Sequence, residues 1–297
     1  MTRPKLAAAA ALLPACLILG VCFYGFIGWT AVISVTGSRL LPRYDFTGLA
    51  NYAALAGDDR FARSFAHLLV FGTLHIGLSM GFGLLLAVGL DRAGPVRGRI
   101  LWLAFLLPLS LSWLVTGLVW QWLLNPGSGM ERAMHALGWA GFRLDALGRG
   151  DTAVYCLVAA AVWHMAGLVA MLFLAGLRRV DPDVWHAARA EGIPTWRTYL
   201  HVVLPTLRGT ALSCALLLFF GVVRTFDLVA AMTGGGPGFA TDMPALFIQD
   251  MAFGRGRLAL GAAASVVLMA VALAAAASFL VPVLVPVLGR RSRAVRA

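Results

Sequence analysis

Charge is scarce in this chain, and lysine is almost missing. Only 12% of its residues are Asp, Glu, Lys or Arg, about half of the roughly 25% that a soluble domain carries, so an ordinary water-facing surface is excluded. The single lysine is Lys5. A phosphate-cradling P-loop needs a lysine directly after its last glycine to reach the β and γ phosphates, so the chain cannot itself be an ATPase of that kind. The four cysteines, Cys16, Cys22, Cys156 and Cys214, all lie in apolar stretches without metal-ligand spacing, which points to neither a disulfide framework nor a zinc site. Internal repeats and low-complexity linkers are missing too. The net charge of +11 does not mark a nucleic-acid binder, because the arginines sit at the ends of apolar segments and form no basic stripe interleaved with exposed aromatics.

What the chain has in abundance is hydrophobic residues, 60% of the total, gathered into long runs. About 20 residues cross a bilayer core, so the pattern reads as an all-α membrane protein with six spans and a single transmembrane domain, 1–297. The spans fall at about Leu6–Val35, Phe65–Leu90, Ile100–Leu124, Thr152–Leu177, Ala211–Met232 and Leu258–Leu288. The first, behind Arg3 and Lys5, is too long for a signal-peptide core and reads as a retained helix. Alternate connections carry 14 and 9 cations; the richer set includes Arg92, Arg97, Arg99, Arg290, Arg291, Arg293 and Arg296 and the connection at 178–210, which places both termini and that connection in the cytoplasm. Trp29, Trp102, Trp120 and Trp122 stand near predicted helix ends, as interfacial anchors do.

The stretch from Arg178 to Thr210 is the one long polar passage between two helix-length apolar segments, and it carries its own helical punctuation. Asp181 can cap a helix, Pro182 suits the first helical position, and Asp183 favours the positive dipole end. Gly192 stands where a left-handed residue would close that helix, Pro194 lies just beyond, and Thr195 can cap a second helix leading to Leu204-Pro205. Ala188 and Gly192 are four apart, as are Ala187 and Glu191, so one face is nearly flush with the backbone and could seat in another protein's groove.

Here the sequence resembles the permease subunits of binding-protein-dependent ATP-binding-cassette (ABC) importers, which carry E-A-A, three residues, G, nine residues, I-x-L-P. The pattern falls on His186-Ala187-Ala188, Gly192, Val202, Leu204 and Pro205, with every spacing kept and two substitutions, His for Glu and Val for Ile. Phe46 to Tyr52 looks like the F-x-G-L-x-N-Y that follows the first helix in the carbohydrate branch. Phe226-Asp227, the turn Thr233-Gly234-Gly235-Gly236-Pro237 with Thr241, and Ala175-Gly176-Leu177 extend the likeness over nearly the whole chain. The resemblance implies a type I importer fold in which the 178–210 loop is the coupling helix. It also implies a second, similar permease, two ATPase subunits that hold ATP and Mg, and an extracytoplasmic sugar-binding protein, all in the cytoplasmic membrane of a bacterium or archaeon.

Other readings are tested on their residues. Gly77-Leu78-Ser79-Met80-Gly81 matches G-x-S-x-G, but a nucleophile elbow needs a strand-to-helix turn and this stretch is mid-helix; its glycines suit close helix packing instead. His75 and His164 are expected to be satisfied by a neighbouring helix's carbonyl. Gly234 to Pro237 reads as a helix stop and turn, the phosphate-cradle rival lacking its lysine. Arg224 and Asp227, three apart in the fifth span, form either a structural ion pair or part of the substrate path. The competing functions are an ABC permease for glycerol phosphate or polyamine, and an ion-coupled secondary transporter, which would need a buried carboxylate relay for which only Asp227 is available.

Overall fold

The computed structural model describes residues 12–93 and 95–294, with side chains described for 12–93 and 98–278. Arg3, Lys5 and Arg296, and the side chains of Arg97, Arg290, Arg291 and Arg293, lie outside the described residues. Among those described the chain is helical, with one isolated bridge between Thr36 and Phe46. It divides into two compact units, residues 1–62 with 247–273, and 63–246 with 274–297.

In the first unit α1, Leu12–Ser34, is apolar along most of its length and is exposed except at its last turn, where Ile33 and Ser34 are buried. Its last turn packs Ile33 against Ala259 and Ala262 of α13, Leu258–Ala294. The F-x-G-L-x-N-Y stretch ties the following loop to this end of α1. Asn51 Nδ2 donates to the carbonyls of Ser34 and Thr36 at 2.9 and 2.8 Å, and the Tyr52 and Ser34 hydroxyls share a 2.7 Å hydrogen bond. These bonds satisfy carbonyls that the helix end leaves free. Asn51 and Tyr52 open α2, Ala50–Ala56. Asp58 then caps α3, Asp59–Arg92, accepting from the N–H groups of Arg60 and Phe61. Arg60 of α3 pairs with Asp250, which also meets Arg255 at 3.0 Å, and Arg60 lies over the Phe247 ring.

The second unit is organised around α7, Ala153–Leu177, most of which is buried. One core cluster joins Phe71, Leu157, Leu228 and Met232; another joins Val169, Phe173, Leu177, Val203, Leu207 and Leu218. Lipid is as apolar as leucine, so helices here associate through close packing at small residues. On α3 the glycines that do this are Gly72, where a Cβ would sit 2.9 Å from Val222, and Gly83, where it would sit 2.6 Å from Val169. Gly77 and Gly81, expected to form the packing face, are exposed with nothing within 4 Å of a Cβ, so the expectation fails within this chain.

Two expected spans are broken. The run read as one helix from Ile100 to Leu124 is α4, Pro95–Leu106, and α5, Trp113–Leu124, bent by 103°. Pro108 supplies no donor to continue α4, Leu111 and Ser112 are extended, and Ser112 starts α5 by accepting from the Val115 N–H at 3.2 Å. After α6, Gly129–Ala136, and α7, the loop helices α8, Pro182–Ala190, and α9, Thr195–Thr206, lead into α10, Arg208–Val223, at a 69° bend. The chain then unwinds at Arg224 and Thr225 and resumes as α11, Asp227–Met232, with α12 at Pro244–Gln249. With each bent pair taken as one span, the helices that could cross a membrane number up to six among the described residues.

Candidate functional site

The polar loop builds as its punctuation dictates. The Asp181 carboxylate accepts from the Asp183 N–H at 3.0 Å, and Pro182 occupies the first turn. At the other end Gly192 takes a left-handed φ of +71°. The N–H of Ile193 then reaches the Ala188 carbonyl at 2.9 Å and that of Gly192 reaches Arg189 at 3.1 Å, the paired bonds of a Schellman closure. Thr195 does not cap α9; Pro194 stands at the cap and Thr195 is the first helical residue, with no side-chain cap bond.

Of the residues expected on the flush face of α8, Ala187, Glu191 and Gly192 are exposed and Ala188 is not. Ala188 is 7% exposed and lines an inward cleft with Trp185, Thr198 and Tyr199, so it takes no part in an outer seat. The exposed row is Asp183, His186, Ala187, Ala190 and Glu191, with Gly192 at its end. This row keeps helical spacing and its middle has no large apolar side chain. His186 Nδ1 lies 3.4 Å from the Arg189 guanidinium. Trp185 meets Tyr199 edge-on at 5.0 Å, and Arg92, at the end of α3, lies over the Tyr199 ring. Leu204 and Pro205 are exposed, whereas Val203 and Leu207 are buried and anchor α9 against α7, Leu207 pressing where a Cβ on Gly176 would stand. The sequence signal for that anchor was the spacing of four through Tyr199, Val203 and Leu207.

The second site is a cavity of about 410 Å³ beside the break between α10 and α11, lined by Phe71, His75, Trp113, Leu217, Phe220, Gly221 and residues 224–228. Arg224 and Asp227 both line it and are exposed, but they fall on opposite sides of the unwound residues and not on one helical face. Among the described residues no ion pair or hydrogen bond joins their side chains. Asp227 stands at the start of α11, where the helix dipole favours a carboxylate. The cavity thus combines aromatic surfaces with one cation, one anion and the Thr225 hydroxyl, a mixture that suits a polyhydroxylated solute.

The two histidines find hydroxyls, not the carbonyls expected of them. His75, stacked on Phe71, has Ser79 Oγ at 3.3 Å; His164, against Trp113, has Thr116 Oγ1 at 2.9 Å. Ser79 is fully buried within α3, so no substrate reaches it as a nucleophile. The glycine turn after α11 places Gly234 and Gly235 at φ of +60° and +88°. It is closed by a 2.8 Å bond between the Thr233 and Thr241 hydroxyls and by Thr241 donating to the Gly236 carbonyl.

The family model of binding-protein-dependent transport system inner membrane components matches residues 79–294. A probable ABC transporter permease of Pyrococcus horikoshii is 32% identical over 269 residues, covering 88% of this chain and 90% of that one. The xylose/arabinose import permease XacH of Haloferax volcanii is 30% identical over 86% of this chain and 81% of its own. The sn-glycerol-3-phosphate permease UgpA of Agrobacterium fabrum is 31% identical over 77% and 78%. A solved bacterial alginate ABC transporter, in complex with its pentasaccharide-bound periplasmic protein, shares the fold with a TM-score of 0.81 at 17% identity over 93% of both chains.

Proposed function

The chain belongs to the family of binding-protein-dependent transport system inner membrane components, and from this we infer that it is a permease subunit of an ATP-driven sugar importer, supplying half of the translocation pathway. The observation that carries the sugar reading is the cavity at the α10–α11 break, where Trp113, Phe220 and Phe226 face a sparse set of polar groups. The kinship with a xylose/arabinose import permease supports it. ATP and Mg bind a partner ATPase pair, a second, similar permease completes the pathway, and a loaded sugar-binding protein docks from outside. The chain breaks no bond in the sugar. Both termini and the α8 loop lie in the cytoplasm of a bacterium or archaeon.

The coupling follows from how the second unit is connected. The row from Asp183 to Gly192 seats in the ATPase, and displacement of α8 passes through the Trp185–Tyr199 contact into α9. Val203 and Leu207 hold α9 to α7, so the motion turns α10 about the bend at Leu207 and ends at Arg224, on the cavity wall. Two states of that wall, open to either side in turn, give alternating access.

A second reading, import of glycerol phosphate, is favoured by Arg224 in the cavity and by the kinship with UgpA. Polyamine import fits less well, since Asp227 alone stands against Arg224 in the lining. Mass spectrometry of the purified complex with its copurified binding protein and ligand decides between them. A neutral sugar in the binding protein bears out the main reading, a phosphorylated polyol replaces it, and the absence of any ATPase subunit overturns the importer assignment.

A further inference from the structure

Arg99 and Arg178 converge on one cleft although they are far apart in sequence. Arg99 lies one turn into α4, and Arg178 caps the end of α7. Together with Trp102, Leu90 and Leu174 they line a space of about 380 Å³, and no carboxylate lines it with them. Some arginines elsewhere in the chain find partners. Arg60 and Arg255 meet Asp250, Arg92 lies over Tyr199, and Arg189 donates to the Trp185 carbonyl. Among the described residues neither Arg99 nor Arg178 has a side-chain hydrogen bond or ion pair.

The cleft sits where apolar helices give way to polar chain, at the ends of α3 and α7. On α4 the strip adjacent to Arg99 and Trp102 carries Ile100 and Leu103, each 64% exposed, with Leu107 at 61% a further turn along. That is exposed apolar surface on the helix that carries Arg99, of the kind that lipid chains cover. Arginine forks match phosphate oxygens, tryptophan settles at the headgroup level, and basic pockets between transmembrane helices take anionic headgroups. We propose that this cleft binds the phosphate headgroup of an anionic membrane lipid, its acyl chains lying along Ile100, Leu103 and Leu107. A soluble phosphate would gain nothing from the leucine strip, and an acidic segment of another subunit would leave it bare.

Native mass spectrometry tests this on the permease purified from its membrane with the subunits that copurify. The protein is titrated with phosphatidylglycerol, phosphatidylcholine and inorganic phosphate. Phosphatidylglycerol should bind saturably and more tightly than phosphatidylcholine, and inorganic phosphate should not compete. Loss of one arginine near a lipid surface weakens binding about fivefold, so Arg99→Gln with Arg178→Gln should weaken it about twenty-five-fold, while lysine at both positions should hold it within about fivefold. Equal binding of the two lipids, unchanged affinity in the double glutamine variant, or competition by phosphate overturns the proposal. So does binding that appears only after the copurifying subunits are stripped away, which marks the cleft as a protein contact. The readout makes no use of transport, so it stands or falls separately from the sugar reading.

Discussion

Tryptophan at position 187 should silence coupling while leaving the chain folded, whereas tryptophan at 188 should damage the loop itself. Ala187 is on the outer row of α8, and a substitution at such a surface position shifts stability by no more than about 0.5 kcal/mol. Its indole would stand between His186 and Ala190, on the surface proposed to seat in the ATPase. Ala188 points into the cleft with Trp185 and Tyr199. An indole there has to part the Trp185–Tyr199 edge contact, forfeiting about 0.5–1.5 kcal/mol, in addition to about 1–3 kcal/mol for overpacking. The loop then loses about 1.5–4.5 kcal/mol, enough to open it a large part of the time. The assay pairs ATP hydrolysis stimulated by the loaded binding protein in proteoliposomes with limited proteolysis of the 178–210 loop. Ala187→Trp should lose stimulated hydrolysis at least tenfold, equivalent to about 1.4 kcal/mol, with normal protease resistance; Ala188→Trp should be cut faster. Full stimulation in Ala187→Trp, or equal protease sensitivity in the two variants, would refute the assignment of the outer face.

Because Arg224 and Asp227 stand on opposite sides of the helix break without an ion pair, the losses from Arg224→Ala and Asp227→Ala should add in transport assays; recovery in the double variant would show that they act as a pair. Gly83→Leu should destabilise the second unit by about 1–3 kcal/mol or more through overpacking against Val169, while Gly81→Leu leaves thermal stability of the isolated chain within about 0.5 kcal/mol; equal melting shifts would contradict the packing described. Burial pushes the Asp250 carboxyl up, but hydrogen bonds and charge from Arg60, then Arg255, outweigh it and hold the group below the usual carboxylate range. With the folded value depressed, its contribution is complete above the unfolded carboxylate range and is lost as pH falls through the folded value. Asp250→Asn should therefore flatten part of the acid limb of a stability profile, and an unchanged acid limb would count against the Arg60–Asp250–Arg255 cluster as a source of stability.

The α8 loop was legible because its signals are local. Asp181, Pro182, Gly192 and Pro194 act on backbone groups within one turn of themselves, and their spacing alone fixes start and stop. Which of two adjacent alanines faces out was not legible, since that depends on Thr198 and Tyr199 folding back from the next helix. The breaks were hidden for another reason. Pro108 lies inside an apolar run that reads as continuous, and the unwinding at Arg224–Thr225 involves neither glycine nor proline, its only trace being two charges in an apolar span. The glycines were misassigned because G-x-x-x-G specifies a face without specifying what meets it. Gly72 and Gly83, eleven apart, occupy the face that is met.

The bond between Thr116 and His164, with Trp113 laid against the imidazole at 4.1 Å, has a consequence for how the bundle is indexed. Greasy helices can rotate or slide past one another at little cost when lipid competes equally for every leucine. A donor and acceptor that can satisfy each other at only one azimuth and one height remove that freedom, because any other setting leaves both unpaired in hydrocarbon. Thr116 sits on α5 just after the sharp turn that breaks the third span and His164 sits on α7, so the bond fixes the phase of a short helix that would otherwise have little to set it. A hydroxyl and a ring nitrogen thus serve as a keyway, and Thr116→Val should yield a chain that still inserts but whose α5 samples several rotational settings.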